Sequence, residues 1–198
     1  MNIEKQKEHF KDHIATLRKY DNITILDFEN PYSINYRIRF LFEEDRCVLH
    51  ISGDLGSLTA SNYNNMCYEQ FGDYVYNPGY FESKVDCHSR DFYEYDFEKA
   101  KEELEKRFKD YEVKSPYDWE SDEEYREEKI EEILDDFYAR TGLGSKAYEI
   151  LSEIDPDCFE YISDIGAEKT EIIELYLLAF KLAQEQLKEK EVEDGNVD

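Results

Sequence analysis

The sequence predicts an α+β fold: an N-terminal helix plus a small antiparallel sheet, followed by a helical C-terminal half. Three observations carry this. Residues 34–42, INYRIRFLF, alternate, with Ile34, Tyr36, Ile38, Phe40 and Phe42 on one side and Arg37 and Arg39 on the other, the period of a half-buried strand. Short apolar runs on either side of Glu43-Glu44-Asp45 are separated by that polar turn, as in a hairpin. From Asp96 onward the apolar spacing becomes helical: Phe97, Leu104, Phe108 and Tyr111 make one stripe.

The elements follow in order. Residues 3–20 place Ile3, Phe10, Ile14 and Leu17 near a 3.6-residue spacing and are expected to form one helix, ended by Lys19-Tyr20-Asp21-Asn22. On that helix His9 and His13, four residues apart, would face the same way. Residues 23–28, ITILDF, read as a short strand, and Asn30-Pro31 as a turn. The strand at 34–42 is followed by a return strand at 46–52, RCVLHIS, closed by Gly53-Asp54-Leu55-Gly56.

Residues 57–93 read as an irregular excursion with the turn Asn77-Pro78-Gly79 and a strand around 81–87. Eleven aromatic residues fall within residues 63–97; they are expected to pack the sheet against helices, the alternative being an exposed tyrosine contact surface. Ser121 and Glu124 form a capping box. It opens a helix carrying Tyr125, Ile130, Ile133, Leu134, Phe137 and Tyr138, with Thr141-Gly142 at its end. Ser145 is expected to cap a short helix through Ile154, which Asp155-Pro156 interrupts, and a last helix is expected over about 167–190 with a frayed tail. A boundary near residues 114–119 separates an α+β domain, 1–114, from an acidic helical region, 115–198, which packs separately or as one domain with the first.

The chain has 198 residues and a formal net charge of −25. With 40% hydrophobic residues it has material for a core, which argues against a disordered acidic chain. No apolar run approaches the ~20 residues of a membrane span, and the polar start MNIEKQKEHFKDH points to a cytoplasmic protein. The negative charge opposes direct nucleic-acid binding. It is also unevenly placed. Residues 1–93 hold 15 acids and 10 bases, whereas residues 94–198 hold 34 acids and 14 bases. The densest run, residues 120–136, has ten acids against Arg126 and Lys129. On a helix with one side buried these carboxylates face water and attract cationic partners. Glu124, Glu127, Glu128, Glu131 and Asp135 are therefore the expected partner-binding residues, the alternative being a merely solubilising face.

Catalytic motifs are absent: there is no GxSxG, P-loop or HExxH. The four cysteines, Cys47, Cys67, Cys87 and Cys158, include no CxxC pair, and no disulfide framework is expected. A structural zinc site is conceivable from His13, Asp54, Cys67 and Cys87, four donors suited to a tetrahedral ion, with His9, His50 or His88 as substitutes. The competing reading is that the cysteines are small buried apolar residues.

The strings EHFKDHI (8–14), ISGDLGSL (51–58) and FESKVDCHS (81–89) resemble a family of small acidic proteins of phages and prophages of Gram-positive bacteria. The similarity covers roughly the first 110 residues. Some such proteins are anti-CRISPR proteins that inhibit a type II effector nuclease. The resemblance implies a non-enzymatic, stoichiometric inhibitor that binds a basic surface of a CRISPR type II effector nuclease in the host cytoplasm and blocks nucleic-acid loading; a monomer is expected. It carries over no individual residue. The alternatives are an accessory phage interaction protein with a structural zinc site, docking through Ile172, Tyr176, Leu177 and Phe180 of the last helix, or a metal-dependent enzyme.

Overall fold

Period-two alternation builds the sheet. The structure, a computed structural model, describes residues 3–63, 65–117 and 121–195. A short helix α1 (Ile3–His9) precedes strands β1 (Ile14–Tyr20), β2 (Ile23–Glu29), β3 (Ile38–Glu43), β4 (Val48–Gly53) and β5 (Gly56–Ser61). A 3-10 turn at Phe71–Tyr76, helix α2 (Pro78–Glu82) and strand β6 (Val85–His88) follow. The six strands form one antiparallel sheet in the order β1-β2-β3-β4-β5-β6, each beside its neighbour in sequence. Leu26, Phe28, Ile38, Phe40, Phe42, Leu49, Ile51, Leu58 and Ala60 are buried on one face. The other face is mixed, with Ile23, Ile25, Leu41 and Val48 half-buried beside charged side chains. There Asp27, 5% exposed, accepts from Arg39 at 2.6 Å and from Arg18, so its buried carboxylate is paired on two sides.

The expected helix over 3–20 is a helix only to His9. Residues Ile14–Tyr20 pair instead with β2, from Ile14↔Glu29 to Tyr20↔Ile23, around the two-residue turn Asp21-Asn22. Ala15 and Leu17 point inward and Ile14 outward, a period of two that the spacing of Ile3, Phe10, Ile14 and Leu17 conceals. His9 and His13 consequently do not share a helix face. The Gly53-to-Gly56 turn joins β4 to β5, a strand missing from the sequence reading. Gly53 is at φ +150°, and a Cβ there would lie 1.9 Å from the Arg37 carbonyl oxygen, so only glycine fits without moving the backbone.

A second set of elements begins with β7 (Tyr93–Tyr95) and α3 (Phe97–Asp110), capped by Asp96, whose carboxylate accepts the Lys99 N–H. Helix α4 (Asp122–Leu134) opens on the expected capping box of Ser121 and Glu124. It stops at Leu134 rather than running on to Tyr138. Phe137 and Tyr138 form β8, paired with β9 (Gly142–Leu143). Helix α5 (Ser145–Ile154) ends where expected, but Ser145 is its first residue rather than its cap: Gly144 is the N-cap, and no side chain caps it. Strand β10 (Ala167–Lys169), where the last helix was expected to begin, pairs with β7. Ala100, Leu104, Phe108, Ile130, Ile133, Leu134, Ala147, Leu151, Cys158 and Ile165 form this region's core.

The final helix α6 (Ile172–Gly195) returns to the sheet. Its Phe180, fully buried, lies 4.7 Å from Phe71, 5.5 Å from Phe40 and 6.0 Å from Phe42 between ring centroids. Gln186 accepts the Ala15 N–H and donates to the His13 carbonyl, occupying free backbone groups of the edge strand β1. The chain thus forms two compact units, Met1–Phe92 with Glu171–Asp198, and Tyr93–Thr170. This division differs from the expected 1–114 and 115–198: α3 clusters with α4, and α6 with the sheet. Of the boundary foreseen near 114–119, residues 118 and 119 lie outside the described residues, as do Glu120 of the acidic run and residues 196–198 of the tail.

Candidate partner-binding cleft

Helices α3 and α4 pack side by side because each has an apolar stripe. That of α3 is Ala100, Leu104 and Phe108; that of α4 is Ile130, Ile133 and Leu134. A cleft of about 600 Å³ opens along them. Phe97, Phe108, Ile130 and Leu134 supply its apolar surface. Phe108, Ile130 and Leu134 are buried, whereas Phe97 is 44% exposed, with its ring edge-on to Phe137 at 5.6 Å.

The two walls differ in charge. The α3 wall carries Lys101, Glu105 and Lys109, each four residues from the next. The α4 wall carries Glu123, Glu127, Glu131 and Asp135, again four residues apart, so they form one ridge with a rise of about 6 Å between neighbours. Among the described residues, none of these seven charged side chains makes an ion pair. Of the cations of α4, Arg126 also lines the cleft and donates to the Val113 carbonyl at 3.2 Å, a bond that leaves its charge in place, and Lys129 pairs with Glu132 at 2.7 Å. The cleft is thus lined by five carboxylates, Glu105 and the four of the ridge, against Lys101, Lys109 and Arg126, an excess of negative charge with no ion pair on the ridge itself among the described residues.

The five expected partner-binding residues separate into two groups. Glu127, Glu131 and Asp135 line the cleft. Glu128 is exposed on α4 but does not line it, and Glu124 is spent on the cap, where the Ser121 hydroxyl and backbone N–H hold its carboxyl below the usual range. Asp136 is likewise structural: it accepts the Ala147 N–H at 3.1 Å at the start of α5, and that bond holds its pKa down. Sequence reasoning missed Glu123 and the whole α3 wall. The signal was present as two four-residue ladders, 97/101/105/109 and 123/127/131/135.

The four residues weighed as zinc ligands occupy separate settings. His13 is buried after α1, between Phe10 and Phe28, with Nε2 3.1 Å from the Tyr36 carbonyl. Asp54 accepts the Tyr36 N–H at 2.9 Å. The Cys67 thiol donates to Gln70 at 3.1 Å, and burial raises its pKa, which disfavours the thiolate a metal needs. Cys87 is exposed on β6 opposite Thr59. Among the described residues, no three His, Cys, Asp or Glu side chains gather as a metal site.

Two other expected surfaces are elsewhere in the packing. Tyr176, Leu177 and Phe180, considered as a docking face of the last helix, are buried in the sheet unit's core. In the aromatic segment Tyr68, Phe71, Tyr74 and Phe81 are core, while Tyr63 and Tyr76 are exposed. Among the described residues no helix is long and apolar enough to cross a membrane. Comparison with protein-family profiles, curated proteins and solved structures finds no match.

Proposed function

We propose that this protein is a non-enzymatic, stoichiometric binder of a basic protein surface, one that otherwise receives nucleic acid. The observation that carries the reading is the ridge of Glu123, Glu127, Glu131 and Asp135, unpaired among the described residues and set beside exposed Phe97. A row of like charges along a helix is mildly destabilising, so solubility alone does not call for this alignment; dispersed carboxylates serve that purpose. A cationic groove supplies countercharge for the carboxylates in excess of Lys101, Lys109 and Arg126, and occupying it excludes phosphates that use the same lysines and arginines.

The resemblance to phage and prophage anti-CRISPR proteins makes a CRISPR type II effector nuclease the first partner to test. Purified effectors from a representative set are mixed with the full chain at low salt, and both complex formation and target cleavage are followed. The expected result is loss of cleavage that is complete near equimolar protein, and restored by raising salt or by the double reversal E127K/E131K. Failure of every effector in the set to bind at low salt refutes the effector reading.

A further inference from the structure

We infer that the cleft between α3 and α4 receives a cationic amphipathic helix of the partner, about three turns long, whose Lys or Arg side chains recur every fourth residue. This rests on the proposed function and gives its contact a form.

Length, charge and backbone chemistry lead to this occupant. From Glu123 to Asp135 the ridge climbs about 18 Å at 1.5 Å per residue, which matches roughly twelve residues of a second helix. A helix with cations four residues apart repeats its charges at the same ~6 Å interval as the carboxylates. Rows spaced by four are also the rows that interdigitate when helices pack. An extended peptide fits worse: its backbone N–H and C=O groups would meet a cleft lined by side chains, whereas a helix satisfies its own. Phe97, exposed among the cleft's apolar residues, offers a ring for an apolar side chain of the same helix.

Competing occupants are disfavoured by the same charges. Nucleic acid is repelled by the ridge. A second copy of the chain brings a net charge of −25. A single divalent ion needs carboxylates converging on one point, and no such group forms among the described residues.

The test uses the full chain and three synthetic peptides of thirteen residues: one helical with Lys at every fourth position and Leu beside it, one of the same composition scrambled, and one with Gln for Lys. Calorimetry gives affinity and stoichiometry, amide shifts locate the contact, and circular dichroism follows peptide helicity. The patterned peptide is expected to bind one-to-one, to gain helicity, and to shift amides of α3 and α4. Its affinity should fall roughly tenfold in E127Q/E131Q, a pair of substitutions that leaves the helix intact, and by a smaller factor in F97A. Equal binding of the scrambled peptide, equal binding to E127Q/E131Q, or no binding of the patterned peptide overturns the inference. If the peptide fails while an intact effector is still bound and inhibited, the docking reading stands and only its helix-in-cleft form is lost. If neither binds, both are lost.

Discussion

Neutralising the acidic ridge should stabilise this protein while weakening its binding. The perturbation is E127Q/E131Q, which removes the three like-charge neighbours 123–127, 127–131 and 131–135 at once. Two charges about 6 Å apart in water repel by ~0.7 kcal/mol before screening. A Debye length of about 10 Å at 0.1 M salt cuts this to roughly 0.4 kcal/mol, in line with the few tenths found for like charges four apart on a helix. Three pairs then amount to about 1 kcal/mol. Glu131 adds to this because the last turn of α4 carries no basic residue to oppose the negative end of the helix dipole. The opposing effect is attraction from Lys101 and Lys109 on the facing wall and from Arg126 on α4, but none of the three forms an ion pair among the described residues. Repulsion along the ridge therefore wins. Hydrogen exchange of α4 amides reads the effect locally: protection should rise by about 1 kcal/mol at low salt and the gain should shrink as salt screens it. Unchanged or reduced protection at low salt would show that the ridge is already neutralised within the protein, and the case for an external cationic partner would fall with it.

Other expectations address the scaffold. Phe180→Ala empties a site against Phe40, Phe42 and Phe71 and should cost about 3–5 kcal/mol, seen as lost exchange protection in β2–β4; a loss below ~1 kcal/mol would show that α6 does not close that core. Gly53→Ala drives a Cβ into the Arg37 carbonyl at a φ of +150° and should lower urea stability by about 1–3 kcal/mol, whereas an unchanged midpoint would refute the close approach. Burial pushes the His13 pKa below its ordinary 6.5, outweighing the raising effects of the Tyr36 and Asn35 backbone and of Asp12 and Glu29. Below pH 6.5 the unfolded chain then takes up a proton that the folded chain resists. The stabilisation is full above that value and is lost as pH falls from 6.5 through the folded-state pKa. The drop in urea midpoint between pH 7 and 5 should be smaller in His13→Phe; an equal drop would place His13 in water.

Legibility in the sequence varied with the range of the interaction. The alternation through Phe40 and Phe42 identified a strand and its buried face, although Ile34 and Tyr36 lie before β3 in the loop. The Ser121–Glu124 box located the start of α4 because a cap is made within four residues. The segment 14–20 was misread because Ile14 and Leu17 fit a helical spacing, while the hydrogen bonds that make it a strand belong to β2. Likewise 167–169 and 137–138 owe their strand geometry to partners elsewhere in the chain. For the site, the acidic character of α4 was readable, but not which carboxylates are free: Glu124 and its cap partner Ser121 are local, yet the cleft exists only because α3 lies beside α4.

By itself, then, the sequence determined the α+β class, the apolar faces of the main strands and helices, the α4 cap and the concentration of negative charge on that helix. These are properties of periodicity and of neighbours a few residues apart, and propensity and local hydrogen bonding act at that range. Tertiary structure decided that α6 completes the sheet's core from the far end of the chain, that Ile14–Tyr20 is an edge strand, and that four carboxylates line a cleft while others cap helices. Those outcomes follow from burial and backbone pairing between distant segments, whose free energy outweighs the few tenths of a kcal/mol by which local preference separates helix from strand.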